Sequence, residues 1–329
     1  MRPTARLIAR LNRAPMEPDD LSAVMGATVT GLTRISAGAS RETWAFECDG
    51  RALICQLEPA GGATVGRGMA IEAQLLVLAA AAGVAVPAVV RSGDDLAGLG
   101  RSFIVTERLE GETIPRKLLR DDEFAAVRPL LARQAGEALA RVHDMATGPM
   151  EDVLAVGDPV RQFGELLTVF EEPHPAFELA LRWLDRHRPE PTGRTIVHGD
   201  FRTGNLLVAP GGLTAVLDWE LSHIGDPAED LGWFCVRAWR FGSPHRAGGF
   251  GSVEDVLAGY RSAGGRDIPV ETVAWWEVMG TLRWGVICLL QAGSHLSGVT
   301  RSVELATIGR RAAETEWDLL ELIRVGAPQ

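Results

Sequence analysis

Three oxygen-bearing side chains recur at set intervals in residues 195–219, T-I-V-H-G-D-F-R-T-G-N-L-L-V-A-P-G-G-L-T-A-V-L-D-W, and no other stretch constrains the chain as much. The apolar runs 195–197, 206–208 and 213–217 read as strands. The last two are joined by Ala209-Pro210-Gly211-Gly212, a hairpin signal. Folding back at 209–212 sets Asn205, just before one strand, and Asp218, just after the other, at the hairpin's open end, with Asp200 on the same side. One amide oxygen and two carboxylates converging in this way suit hard-cation phosphoryl chemistry, because Mg²⁺ takes few protein oxygens and keeps positions for phosphate and water. A carboxylate near the cation but not bound to it can accept a hydroxyl proton, which is the role expected of Asp200. Asn205 and Asp218 are expected to hold the metal against the β- and γ-phosphates. Each fragment alone reads as a turn or a strand end; the combination carries the chemistry.

The run H-G-D-F-R-T-G-N followed by L-D-W-E resembles the catalytic and metal-binding segments of the aminoglycoside phosphotransferase and choline kinase group, small-molecule kinases with a protein-kinase-like fold. Protein kinases carry H-R-D-x4-N and then D-F-G in the corresponding places. The likeness extends to G-D-P-A-E-D-L at 225–231 and to G-A-S-R-E-T-W at 38–44. It implies an α+β bilobed fold, with a small antiparallel-sheet lobe over 1–108 and a larger, mostly helical lobe over 109–329. It also implies ATP-dependent, Mg²⁺-assisted transfer of a γ-phosphoryl group to a hydroxyl of a small molecule. Backbone at Gly38 and Ser40 would approach phosphate, and backbone groups of Glu107 and Leu109 would meet adenine. In such folds a helix glutamate, here Glu72, pairs with a third-strand lysine that grips the α- and β-phosphates. The aligned position is Gln56, and the one lysine of the chain, Lys117, falls beyond the hinge. An arginine from elsewhere is the favoured substitute, with Arg67, Arg41 and Arg202 as candidates and Arg202 best placed for a γ-phosphate. A guanidinium is always charged and can grip phosphate with two bonds. The alternative is a nucleotide-binding pseudokinase with a regulatory role, for which the missing lysine argues and the intact Asp200, Asn205 and Asp218 argue against.

Charge and hydropathy exclude some partners. A net charge of −10 and a pI near 5.3 leave no dense basic surface for nucleic acid. Cys48, Cys55, Cys235 and Cys288 form no C-x-x-C and sit among apolar neighbours, as reduced core thiols of a cytoplasmic protein do. The apolar stretch from Trp284 belongs to a helix carrying Glu277 and Arg283, so it reads as a buried helix and not a membrane span. Residues 1–13, rich in arginine, read as a short amphipathic helix broken by Pro15 and Pro18.

Strands are expected at 29–35, 42–48, 52–57 and 101–108, and helices at 67–82, 122–145, 160–170, 176–187, 253–263, 270–293 and 303–325, with a further one starting at Asp226-Pro227. His143 is expected to cap or pack, and Asp226 and Asp230 to brace the catalytic loop. His198 and His223 raise a metallohydrolase as a rival, disfavoured because a zinc site adds ligands at short helical spacing. The tryptophans of the helical part read as core, yet also suit an acceptor with a flat or aliphatic portion. The expected partner is a small hydroxylated substrate, and the expected state a monomer or homodimer.

Overall fold

Leu53, Cys55 and Leu57 are buried while Ala52, Ile54 and Gln56 between them are less so, the period-two signature of a strand with one face on a core. The computed structural model describes residues 16–37, 41–58, 68–170 and 172–326. The chain divides into one unit of Met1–Gly111 with Thr214–Leu221 and another of Glu112–Leu213 with Ser222–Gln329.

The first unit holds helix α1 (Pro18–Met25), strands β1 (Val29–Ala37), β2 (Glu42–Cys48) and β3 (Arg51–Leu57), helix α2 (Met69–Ala81), and strands β4 (Val89–Gly93) and β5 (Phe103–Glu107). The strands form one antiparallel sheet in the order β1-β2-β3-β5-β4. Asp49 and Gly50, at φ 51° and 71°, make the tight β2–β3 turn; both left-handed residues match the twist of a two-residue hairpin. Leu53, Cys55, Leu57, Phe46, Phe103 and Leu21 of α1 close the core on one face. On the other face Met69 and Ala73 of α2 pack against Ile104, which is the register partner of Gln56. Gln56 therefore faces the side of the sheet that carries α2 and Glu72.

The second unit is mostly helical: α3 (Pro115–Arg120), α4 (Leu131–His143), α5 (Glu151–Leu154), α6 (Pro159–Leu167), α7 (Pro175–Arg186), then strands β6 (Thr195–Val197) and β7 (Leu206–Ala209). Strand β8 (Gly212–Val216), which starts in this unit and passes into the first at Thr214, pairs with β7, and β9 (His223–Gly225) pairs antiparallel with β6, Val197 opposite His223. Helices α8 (Ala228–Cys235), α9 (Val253–Ser262), α10 (Val270–Leu296), α11 (Val303–Gly309) and α12 (Ala312–Gly326) complete it. Helix α10 is long and apolar enough to cross a membrane, yet 67% of its most apolar window is buried against α7, α8, α11 and α12.

Three sequence expectations need correction. The helix expected over 122–145 is two short 3-10 turns followed by α4, because Pro129 lacks an N–H and its ring crowds the preceding turn. The helix expected over 303–325 is broken between α11 and α12. Strand β9 was not foreseen; three residues pairing with a distant strand leave no periodic signal. The stretch 1–13, with Pro15, lies outside the described residues.

Candidate active site

Asp200 follows β6 in a loop with Gly199 at φ 77°, a left-handed conformation that glycine adopts without steric cost. Its carboxylate is held from three sides. Trp233 Nε1 donates to Oδ1 at 3.0 Å, Asn205 Nδ2 donates to Oδ2 at 2.7 Å, and Arg202 Nε donates to Oδ2 at 3.0 Å. Asn205 Nδ2 also reaches the Asp200 carbonyl at 2.8 Å, so the amide nitrogen is committed and the carbonyl oxygen is the end left to meet a hard cation. Both residues are buried, Asp200 at 9% exposure. Arg202 stacks over Trp239, its guanidinium carbon 5.2 Å from the ring centroid. Thr203 Oγ1 donates to the Gly248 carbonyl at 2.7 Å and ties the loop to the 239–248 segment.

Behind the loop, Asp230 on the first turn of α8 is fully buried and accepts the backbone N–H groups of His198 at 2.7 Å and Gly199 at 2.9 Å. His143, at the end of α4, bridges Asp230 at 3.1 Å and the Tyr260 hydroxyl at 2.9 Å. Burial opposes ionisation of Asp230. The hydrogen bond and charge of His143, the charge of His198 and the N–H of His198 outweigh it and hold the carboxyl below its ordinary range. Asp226 accepts from the N–H groups of Thr192 (2.7 Å) and Ala228 (2.9 Å) and so ties the approach to β6 to the start of α8, whose N-cap residue is Pro227 and not, as expected, Asp226. Both aspartates therefore brace the loop and its flanks, as the sequence suggested. His198 is buried with Nδ1 accepting the Asp200 N–H at 3.2 Å, and His223 pairs with Glu229 at 3.1 Å. Among the described residues no group of three or more His, Cys, Asp and Glu gathers as a metal cage.

In the first unit, Arg41 Nη2 lies 2.5 Å from Glu72 and 2.9 Å from Glu220. Burial disfavours the Arg41 charge. The hydrogen bond and charge of Glu72, with the charges of Glu220 and Asp218, reverse that and raise its pKa. Arg41 Nη1 is buried with no hydrogen-bond partner among the described residues, a donor still to be satisfied. Asp218 sits at φ 65°, left-handed in a residue with a side chain, and such strain persists where surrounding structure imposes it. The arginine that reaches Glu72 is thus Arg41, while Arg202 is engaged with Asp200. Gln56 lies mid-sheet between Thr43 and Ile104. Glu107 is on the sheet, its N–H bonded to the Ala88 carbonyl at 2.9 Å and its side chain to Arg51 at 2.8 Å, so contact with a base would fall to its carbonyl and to Leu109, partly buried two residues on. Gly38, Ser40 and Arg67 lie outside the described residues. The sequence did not single out Trp233, and it offered Arg41 only as one of three candidate arginines behind Arg202; both contacts depend on pairings across dozens of residues.

Comparison with known proteins follows the same lines. The profile of the phosphotransferase enzyme family matches residues 31–267. Acyl-CoA dehydrogenase family member 10 of Mus musculus is 27% identical over 284 residues, 81% of this chain and 25% of that protein. The chain thus spans about a quarter of the curated relative's length. Among solved structures, a Ralstonia eutropha protein classed with the aminoglycoside phosphotransferases gives a TM-score of 0.71 at 22% identity, covering 93% of this chain and 99% of that one. A spectinomycin phosphotransferase, crystallised with ADP and spectinomycin, gives 0.68 at 12% identity over 93% and 99%. At these identities the structural likenesses establish the fold, that of the protein-kinase-like phosphotransferases.

Proposed function

Since the chain belongs to the phosphotransferase enzyme family, we propose that it moves the γ-phosphoryl group of ATP to a hydroxyl of a small molecule, with Asp200 as the base. The observation that carries this reading is the Asp200 carboxylate, buried and aimed by Trp233, Asn205 and Arg202 on a loop that Asp230 braces. A base held in one orientation meets the geometric demand of proton transfer from an acceptor hydroxyl.

The residues present fit a nucleotide and its cation. Arg41, whose Nη1 is buried without a hydrogen-bond partner among the described residues, offers the positive charge that Gln56 lacks for the α- and β-phosphates. Asp218 and the Asn205 carbonyl oxygen are the groups that would hold Mg²⁺. When bound, the ion neutralises charge on the β- and γ-phosphates. Arg202 bonds Asp200 through Nε, and the further donors of its planar guanidinium suit a γ-phosphoryl oxygen. The spectinomycin phosphotransferase that shares the fold is crystallised with ADP, which supports nucleotide use here.

The test is a coupled ADP-release screen over hydroxylated metabolites and aminoglycosides, with Asp200→Ala as control. The control is expected to bind ATP normally and to lose about 10² to 10⁴ in turnover. Near-normal turnover by the alanine variant would remove Asp200 from the role of base. Wild-type protein that binds Mg-ATP yet releases no ADP with any acceptor would instead favour the nucleotide-binding pseudokinase, the reading that the neutral Gln56 supports.

A further inference from the structure

Helix α10, strand β9 and the segments 156–163 and 188–194 enclose a cavity of 520 Å³ within the second unit. That volume falls in the range of small-molecule sites. Phe163, Trp233, Trp275, Trp276 and Met279 supply much of its wall. The Trp275 indole N–H is spent on the Leu184 carbonyl at 3.0 Å and that of Trp233 on Asp200, so these rings offer the cavity carbon surface.

The charged groups of the wall are already matched. Glu229 sits between His223 at 3.1 Å and Arg283 at 3.1 Å, and the Arg283 guanidinium lies over Trp233, 4.7 Å from its centroid. Asp226 is saturated by the Thr192 and Ala228 N–H groups. The three arginines of the lining are paired as well, Arg188 with Asp158, Arg194 with Glu151 and Arg283 with Glu229, so no uncommitted anion awaits a cationic ligand. A multiply charged cation entering this space would lose its hydration with no free carboxylate to replace it.

Trp233 links the cavity to the chemistry, one residue lining the space and hydrogen-bonding the base. Building on the phosphoryl-transfer reading above, we infer that this cavity is the acceptor pocket and that it takes an alcohol with an aliphatic or aromatic body, neutral or anionic, in preference to a polycationic aminoglycoside. The acceptor hydroxyl gives its proton to Asp200, and its oxygen forms the new bond to the γ-phosphorus of ATP. The bond from that phosphorus to the bridging oxygen breaks, and ADP leaves with the electron pair.

The test uses 4-phenyl-1-butanol and kanamycin as probes, with binding to nucleotide-free protein measured by calorimetry and ADP release measured with Mg-ATP. Phe163→Glu places a charge in the apolar wall from a partly exposed position on α6, and folding of the variant is checked by thermal melting and by binding of a fluorescent ATP analogue. Phenylbutanol is expected to bind saturably and to release ADP, and Phe163→Glu to weaken its binding roughly tenfold or more, whereas kanamycin does neither. Tighter binding and phosphorylation of kanamycin would overturn the acceptor class and leave phosphoryl transfer standing. Phenylbutanol binding that ignores Phe163→Glu in the folded variant would overturn the cavity assignment. Binding that responds to Phe163→Glu without ADP release from any acceptor would retire the transfer reading and leave the ligand class of the cavity intact.

Discussion

Asp200, the proposed base, is marked by a local motif, whereas Arg41, the proposed phosphate cation, was only one of three candidate arginines until its contacts were seen. The H-x-D-x4-N spacing marks Asp200 and Asn205 because their roles lie within one local loop. Arg41 instead meets Glu72 and Glu220 through pairings that no spacing encodes. If Arg41 replaces the lysine, Arg41→Ala is expected to weaken binding of a fluorescent ATP analogue by about tenfold or more, the scale of one charge-assisted hydrogen bond. Arg202→Ala, beside the base, is expected to lower turnover more than nucleotide affinity. Gln56→Lys should bring at most a modest gain, since Glu72 is already paired. Unchanged affinity in Arg41→Ala would return the clamp to another residue. Asn205→Ala and Asp218→Ala are expected to raise the Mg²⁺ requirement or abolish transfer, Asp218 more severely because it brings charge. An Asp218 variant with an unaltered Mg²⁺ titration would lose its ligand role.

Helices α4 and α9 meet at glycines whose importance only their packing reveals. A Cβ on Gly136 would stand 2.0 Å from the Val256 carbonyl oxygen, and one on Gly259 2.0 Å from that of Arg133. Both obstacles are backbone, so relief requires the helices to separate. Gly136→Ala is therefore expected to destabilise by about 3 kcal/mol despite the higher helix propensity of alanine, and a raised melting temperature would show the contact to be softer than its geometry. Helix α8 contributes Asp230, whose loss leaves two loop N–H groups and His143 without their acceptor. Asp230→Asn is expected to cost about 3 kcal/mol and to depress turnover with it. The pH dependence has a definite sign: a carboxyl held below its unfolded pKa adds stability above the ordinary carboxylate range, and that contribution disappears as pH falls through its folded pKa. Acid unfolding of the wild type should thus be steeper than that of Asp230→Asn, a difference that melts at descending pH would measure.

Across the whole molecule, all four cysteines are free and buried, and burial pushes the thiols of Cys55, Cys235 and Cys288 up to about 12. Ellman's reagent at neutral pH is expected to leave the native protein almost untouched and to titrate four thiols in denaturant; a fast-reacting thiol in the native state would contradict the packing. The buried state of these thiols, the antiparallel sheet, the helical remainder and the closeness of Asp200 to Asn205 were all legible in the sequence. Each depends on period, turn residues or spacing over a few residues, which the chain displays directly. Tertiary structure alone decided that β9 exists, that Arg41 reaches Glu72, and that Trp233 joins Asp200 to an apolar cavity. Those outcomes depend on which distant surfaces meet: a three-residue strand or a buried arginine is stabilised by partners far along the chain, and a linear pattern holds no distance between them.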